Sequence, residues 1–177
     1  MGLEAHAEAL KAAIRDVPDF PKPGVVFKDI TTVLRDPVLL RRAIDLLVVL
    51  CGDRTVDRVV AIESRGFILG GALAHRLGTG FVPVRKPGKL PWRTVRATYA
   101  LEYGEDAVEM HEDAVAPGER VLVVDDVIAT GGTARATGEL VERLGATVSA
   151  YAFLVELTFL RGREKLAGHD VLSLIRY

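Results

Sequence analysis

The sequence predicts an α/β fold with a central, mainly parallel sheet and helices on both faces, and three observations predict it. Short apolar runs of strand length recur at 57–62, 80–85, 121–124, 147–155 and 171–175. Segments with apolar residues at helical spacing alternate with them, the pattern of strands joined by crossover helices. The chain has 177 residues with 49% hydrophobic content, enough to build one core and too few for two, so a single domain over 1–177 is expected.

Leu3, Ala7, Leu10 and Ile14 recur at spacings of three or four, which predicts an N-terminal amphipathic helix ending before Pro18. Residues 18–32 hold Pro18, Pro21, Pro23 and Gly24 and then Val25-Val26-Phe27-Lys28-Asp29-Ile30. That composition predicts a stiff extended segment able to shape a pocket. Asp36-Pro37 is an N-cap followed by proline at the first helical position, and Leu39, Leu40, Ala43, Ile44 and Leu47 carry a helix to about Cys51.

The strand 57–62 runs through Glu63-Ser64-Arg65-Gly66 into a helix over 67–77 that Gly78 stops. Arg65 beside that helix N-terminus makes an anion site. The next strand, 80–85, ends in the basic turn Arg85-Lys86-Pro87-Gly88-Lys89-Leu90-Pro91. Over 92–112, Val95, Ala97, Tyr99 and Leu101 alternate with polar residues and 107–111 returns past Tyr103-Gly104-Glu105-Asp106, which predicts a two-stranded flap. Beyond residue 146, strands are expected at 147–155 and 171–175 with a short helix over 160–166 between them.

The centre of the chain is 121–137. The apolar run Val121-Leu122-Val123-Val124 suits a strand buried on both faces; Asp125 and Asp126 follow, then Val127-Ile128-Ala129, then Thr130-Gly131-Gly132-Thr133 and a helix over 133–144. Two glycines let the backbone turn its N–H groups inward, and the helix N-terminus adds partial positive charge, so the loop can hold a phosphate dianion without a lysine. An ordinary tight turn would account for Gly-Gly-Thr alone. Two adjacent carboxylates facing such a cradle repel each other unless hydroxyls or a hydrated cation lie between, so a ribose phosphate is the economical ligand.

Composition excludes several functions. A net charge of −1 without a basic run gives no attraction to nucleic acid. Cys51 is alone, so no disulfide framework is expected, and His6, His75, His111 and His169 show no ligand spacing for zinc. The N-terminus is charged and amphipathic and no apolar stretch reaches the ~20 residues of a membrane span, so no membrane partner and a cytoplasmic location are expected. The chain contains neither Asn nor Gln, and 17 of its 23 basic residues are Arg; biased nucleotide content accounts for the arginines and the missing Asn but poorly for the missing Gln, so depletion of thermolabile amides is the second reading.

"VLVVDDVIATGGT" resembles the phosphoribosyl pyrophosphate motif of the type I phosphoribosyltransferases, and "DFPKPGVVF", "ESRGF", "RKPGKLP", "LEYG" and "LVEL" resemble, in order, segments of the adenine phosphoribosyltransferases. The resemblance implies the type I phosphoribosyltransferase fold with a hood at about 18–32 and a mobile β flap at about 92–112. It implies transfer of the phosphoribosyl group from phosphoribosyl pyrophosphate to adenine, giving AMP and pyrophosphate, with Mg²⁺ bound mainly through the substrate and a homodimer as the assembly. Carried over residue by residue, it implies Glu102 as the catalytic acid or base. Asp125, Asp126, Ala129, Thr130, Gly131, Gly132 and Thr133 would take the ribose and 5-phosphate, and Ser64, Arg65, Arg85 and Lys89 the pyrophosphate. Val26, Phe27, Lys28 and Val127 would take adenine, with Phe27 stacking and the backbone of Val26 and Lys28 reading the base edge. It also implies a cis peptide between Glu63 and Ser64. The family more often has arginine where Lys28 stands, which favours a backbone role there. A phosphoribosyltransferase for another base and a non-catalytic phosphoribosyl pyrophosphate sensor are the alternative readings.

Overall fold

A computed structural model describes residues 3–100 and 104–177. The elements in chain order are α1 (Leu3–Ala13), β1 (Arg15–Pro18), β2 (Val26–Asp29), α2 (Thr31–Leu34), α3 (Pro37–Cys51), β3 (Arg58–Ile62), α4 (Gly66–Leu77) and β4 (Gly80–Val84), then β5 (Thr94–Ala100), β6 (Glu105–His111), β7 (Arg120–Ile128), α5 (Gly132–Arg143), β8 (Thr147–Glu156) and β9 (Val171–Arg176). Strands β4-β3-β7-β8-β9 form a five-stranded sheet in that order, every neighbouring pair parallel. Two antiparallel pairs stand apart from it, β1 with β2 and β5 with β6.

The continuous apolar runs of β3 and β7 have the reason expected, because alternate residues feed two cores. Val59, Ala61, Leu122 and Val124 face Leu47 of α3 and Leu69 and Leu73 of α4. Val60, Ile62, Val121 and Val123 face Leu140 and Val141 of α5 and Val108 and Met110 of β6. The base of the expected flap is therefore core, since Ala97, Val108 and Met110 are all buried.

The Asp36 cap forms as expected, its carboxylate accepting from Val38 N and Leu39 N at 2.9 Å each. Three local features differ from the sequence reading. The stiff segment after Pro18 pairs back onto residues 15–18 as the β1–β2 ribbon, and α2 follows it as one extra turn. The expected helix over 160–166 is instead two 3₁₀ turns, Thr158–Leu160 and Gly162–Leu166, split at Arg161, whose φ of 54° is left-handed and cannot continue a helix.

Candidate active site

The sheet reverses its winding between β3 and β7. From β3 the chain crosses through α4 to β4 on one side, and from β7 through α5 to β8 on the other. In open α/β sheets the crevice at the carboxyl ends of such strands takes the ligand. The last β3–β7 pair is Ala61 with Val124, so Glu63-Ser64-Arg65 and Asp125-Asp126 leave the sheet side by side.

A cleft of about 610 Å³ opens there, lined by Val26, Phe27 and Lys28 of the β1–β2 ribbon, Ser64 and Arg65 after β3, and Asp125, Asp126 and Val127 of β7. A hollow of about 90 Å³ adjoins it and is lined by Ala129, Thr130, Gly131, Gly132 and Thr133 with Asp125. Gly131 ends the loop with φ 77°, and no side chain caps the α5 N-terminus behind it. The first-turn N–H groups of α5 are thus left for an anion, with the helix dipole behind them.

The two acids differ. Asp125 Oδ1 accepts from Asp126 N at 2.8 Å and packs against the Gly66 backbone, where a Cβ would sit 2.8 Å from it. Burial, and then the charge of Asp126, push the Asp125 carboxyl well above its usual range. Asp126, 5% exposed, has Oδ2 2.6 Å from Arg65 Nε, an ion pair without hydrogen-bond alignment. The Arg65 guanidinium also lies 5.1 Å from the centroid of the Phe27 ring, which meets Phe20 edge-on at 5.2 Å. Lys28 turns its ammonium to Asp16 at 2.6 Å and over the Tyr177 ring at 4.0 Å.

The basic turn is not a cluster of free cations. Glu63 accepts from Arg85 Nε at 2.8 Å and from Lys89 Nζ at 2.7 Å. Burial pushes the Glu63 carboxyl up, but these hydrogen bonds outweigh it and hold the group below the usual glutamate range. Arg85 and Lys89 are held by Glu63 at the edge of the cleft and do not line it, whereas Lys86, bonded to Asp106 and to Tyr99 Oη, does. The Glu63–Ser64 peptide is cis. Glu102 lies outside the described residues.

The phosphoribosyl transferase domain model matches residues 29–169. An adenine phosphoribosyltransferase of Anaeromyxobacter sp. (strain Fw109-5) is 57% identical over 177 residues, the full length of both chains. The chain belongs to the adenine phosphoribosyltransferase family. The family's structures repeat the fold. The adenine phosphoribosyltransferase of Thermoanaerobacter pseudethanolicus superposes with a TM-score of 0.95 at 53% identity, covering 97% of this chain and 99% of that one. The Saccharomyces cerevisiae enzyme, solved with an imino-altritol bisphosphate and adenine, gives 0.91 at 44% identity over 97% and 99%.

Beyond the residues singled out in the sequence, Ile62, Glu63, Lys86, Leu157 and Leu160 also line the cleft. Glu63 was legible as the residue entering "ESRGF" and Lys86 as a member of the basic turn. Leu157 closes the segment "LVEL", and Leu160 carries no sequence signal for a site, because the turn at 158–160 brings it there.

Proposed function

We propose that the chain transfers the 5-phosphoribosyl group of phosphoribosyl pyrophosphate to adenine, giving AMP and pyrophosphate, as its family membership leads one to expect. The observation that carries this reading is the convergence, on one crevice, of an uncapped helix N-terminus, a pair of acids and an aromatic ring. Those three groups suit the three parts of a nucleoside monophosphate.

In this reading Asp125 and Asp126 accept hydrogen bonds from the ribose hydroxyls, and the backbone from Ala129 to Thr133 holds the 5-phosphate. Adenine stacks on Phe27 beside Val127, with its edge against the backbone of Val26 and Lys28. Adenine N9 forms a bond to C1 of the ribose as the C1–O bond to pyrophosphate breaks. Ser64 and Arg65 meet the departing pyrophosphate, and Arg85 and Lys89 exchange Glu63 for it. Glu102 handles the adenine proton, a role resting on the resemblance alone.

Among the described residues no group of three or more His, Cys, Asp or Glu could hold a metal. Mg²⁺ would be held mainly through the oxygens of phosphoribosyl pyrophosphate, with no direct protein ligand assigned, and would supply charge neutralisation to the leaving group. We assign this chemistry to one domain over 1–177 that carries the hood and the flap. No described helix is long and apolar enough to cross a membrane, and we assign the reaction to the cytoplasm, where phosphorylated substrates are retained. A homodimer is supported by Val38, Val49, Ile68 and Phe81, apolar side chains left exposed on α3, α4 and β4.

The test is formation of AMP from adenine and phosphoribosyl pyrophosphate, with and without Mg²⁺, against hypoxanthine, guanine and orotate. AMP from adenine alone is expected. Turnover of another base in preference would overturn the base assignment, and no turnover of any would overturn the reaction.

A further inference from the structure

The 5-phosphate loop leans on the turns that follow β8. Gly162 is buried against it: a Cβ on Gly162 would collide with the Ala129 carbonyl oxygen and lie 2.9 Å from Gly131 N, and a Cβ on Gly131 would collide with the Gly162 carbonyl oxygen. Just upstream, Leu157 N donates to Ile128 O at 3.0 Å. The backbone over 157–162 is thus the wall that gives the loop its shape.

That wall has its own anchor. Arg163 donates to both oxygens of Glu156, Nε at 2.9 Å and Nη2 at 2.7 Å, and also to Val171 O at 2.7 Å and Ser173 Oγ at 3.1 Å. Ser173 donates to Glu156 in turn, and Glu156 is 5% exposed. Glu156 is buried while the Arg163 side chain is partly exposed, and such an ion pair is weak evidence of a stabilising role, since an apolar pair of similar volume is often as stable. A two-pronged guanidinium–carboxylate pair does something that apolar packing cannot, because it fixes direction as well as contact.

We propose that Glu156, Arg163 and Ser173 are positioning residues for the phosphoribosyl site, holding Gly162 against Ala129 and Gly131 so that the loop's N–H groups keep the geometry of a 5-phosphate. The inference rests on the phosphate-loop reading above. None of the three lines the cleft or the hollow, so each acts through the loop.

The test uses the full chain, ribose 5-phosphate as the calorimetric probe, and initial rates against each substrate. The double variant Glu156→Leu with Arg163→Leu leaves no unpaired buried charge, and Gly162→Ala attacks the contact directly should the double variant not fold. In a folded variant we expect the ribose 5-phosphate Kd and the KM for phosphoribosyl pyrophosphate to rise at least fivefold. The KM for adenine should stay within twofold, and Arg163→Lys, which keeps the charge but not the fork, should fall between. A folded variant with Kd within twofold of the parent overturns the proposal, as does an equal rise in both KM values, which would mean general loosening. Failure of the parent itself to bind ribose 5-phosphate would overturn the phosphate-loop reading and this inference with it.

Discussion

Arg65 Nε lies 2.6 Å from Asp126 Oδ2, and the same guanidinium lies 5.1 Å from the ring centroid of Phe27. One side chain thus joins the acid pair to the hood. The pairing compensates Asp126 but leaves its neighbour, Asp125, to meet burial with only a backbone N–H and a more distant Arg65 on its side.

Asp125 should therefore trade stability for binding. Its folded pKa is raised above the ordinary 3.8, so the folded state prefers the protonated acid, and ionisation opposes folding as pH rises from that value towards the raised one. Asp125→Asn keeps the oxygen that accepts from Asp126 N and removes the charge. We expect a higher melting midpoint than the parent at pH 7, a difference that vanishes as pH falls to 3.8, and a large loss of phosphoribosyl pyrophosphate affinity. Melting curves from pH 4 to 8 check it. A midpoint below the parent at pH 7 would mean that the acid stabilises the free protein.

The two loop glycines should not be equivalent. Gly131 has φ 77° and faces the Gly162 carbonyl, whereas a Cβ on Gly132 would meet the Tyr99 ring at 3.0 Å, a neighbour that can shift a few tenths of an ångström. The left-handed conformation costs a non-glycine residue about 1–2 kcal/mol, roughly tenfold in an equilibrium constant. Gly131→Ala, which adds a clash with the Gly162 carbonyl oxygen to that cost, should raise the AMP dissociation constant by at least that factor and Gly132→Ala by less. Calorimetry with AMP reads both, and equal effects would count against the close approach of Gly162.

Much of this was legible beforehand because the sheet is buried on both faces. The apolar runs at 57–62 and 121–124 carry no alternation to mislead, and each ends in a loop of distinct chemistry. The pairing of Arg65 with Asp126 was not legible, since it depends on the parallel register of β3 with β7, fixed by packing across 60 residues of sequence. The pairing of Glu63 with Arg85 and Lys89 was not legible either, since it depends on the parallel register of β3 with β4. A short helix was expected over 160–166, where the chain instead forms two 3₁₀ turns. Their backbone is set by the loop and by Arg163, which spacing cannot express.

The base should depend on Phe27 more than on the Lys28 side chain, whose ammonium is engaged by Asp16 and Tyr177. Phe27→Ala should weaken adenine binding by roughly 1–3 kcal/mol, as for other base–aromatic stacks. Lys28→Ala should be milder, acting only through the tie between the ribbon and the C-terminal residue. Comparison of adenine KM values tests the order, and a severe Lys28 defect with a silent Phe27 change would reverse it.

Absence of Asn and Gln together with an arginine-rich surface predicts a thermal midpoint above the ~45–65 °C of mesophile domains. Differential scanning calorimetry decides this, and a midpoint inside that range would leave biased nucleotide content as the explanation.

The last expectation concerns Glu102. The described part of the hairpin ends against the phosphate loop, where a Cβ on Gly132 would lie 3.0 Å from the Tyr99 ring and 3.8 Å from the Ala100 carbonyl oxygen. Glu102 itself lies outside the described residues, and its role rests on the family resemblance. Attack by adenine N9 needs a group that can take up the base proton beside a ribose gaining positive charge, and a carboxylate does both. Loss of a proton-transfer group typically lowers the rate ~10²- to 10⁴-fold. Glu102→Leu should therefore lower kcat by at least about a hundredfold, while the dissociation constant of phosphoribosyl pyrophosphate, held by β7 and its loop, changes little. Single-turnover rates with calorimetry on the same variant separate the two quantities. A kcat within about threefold of the parent would remove Glu102 from the chemistry, because proton transfer lost at the reacting base cannot be that small.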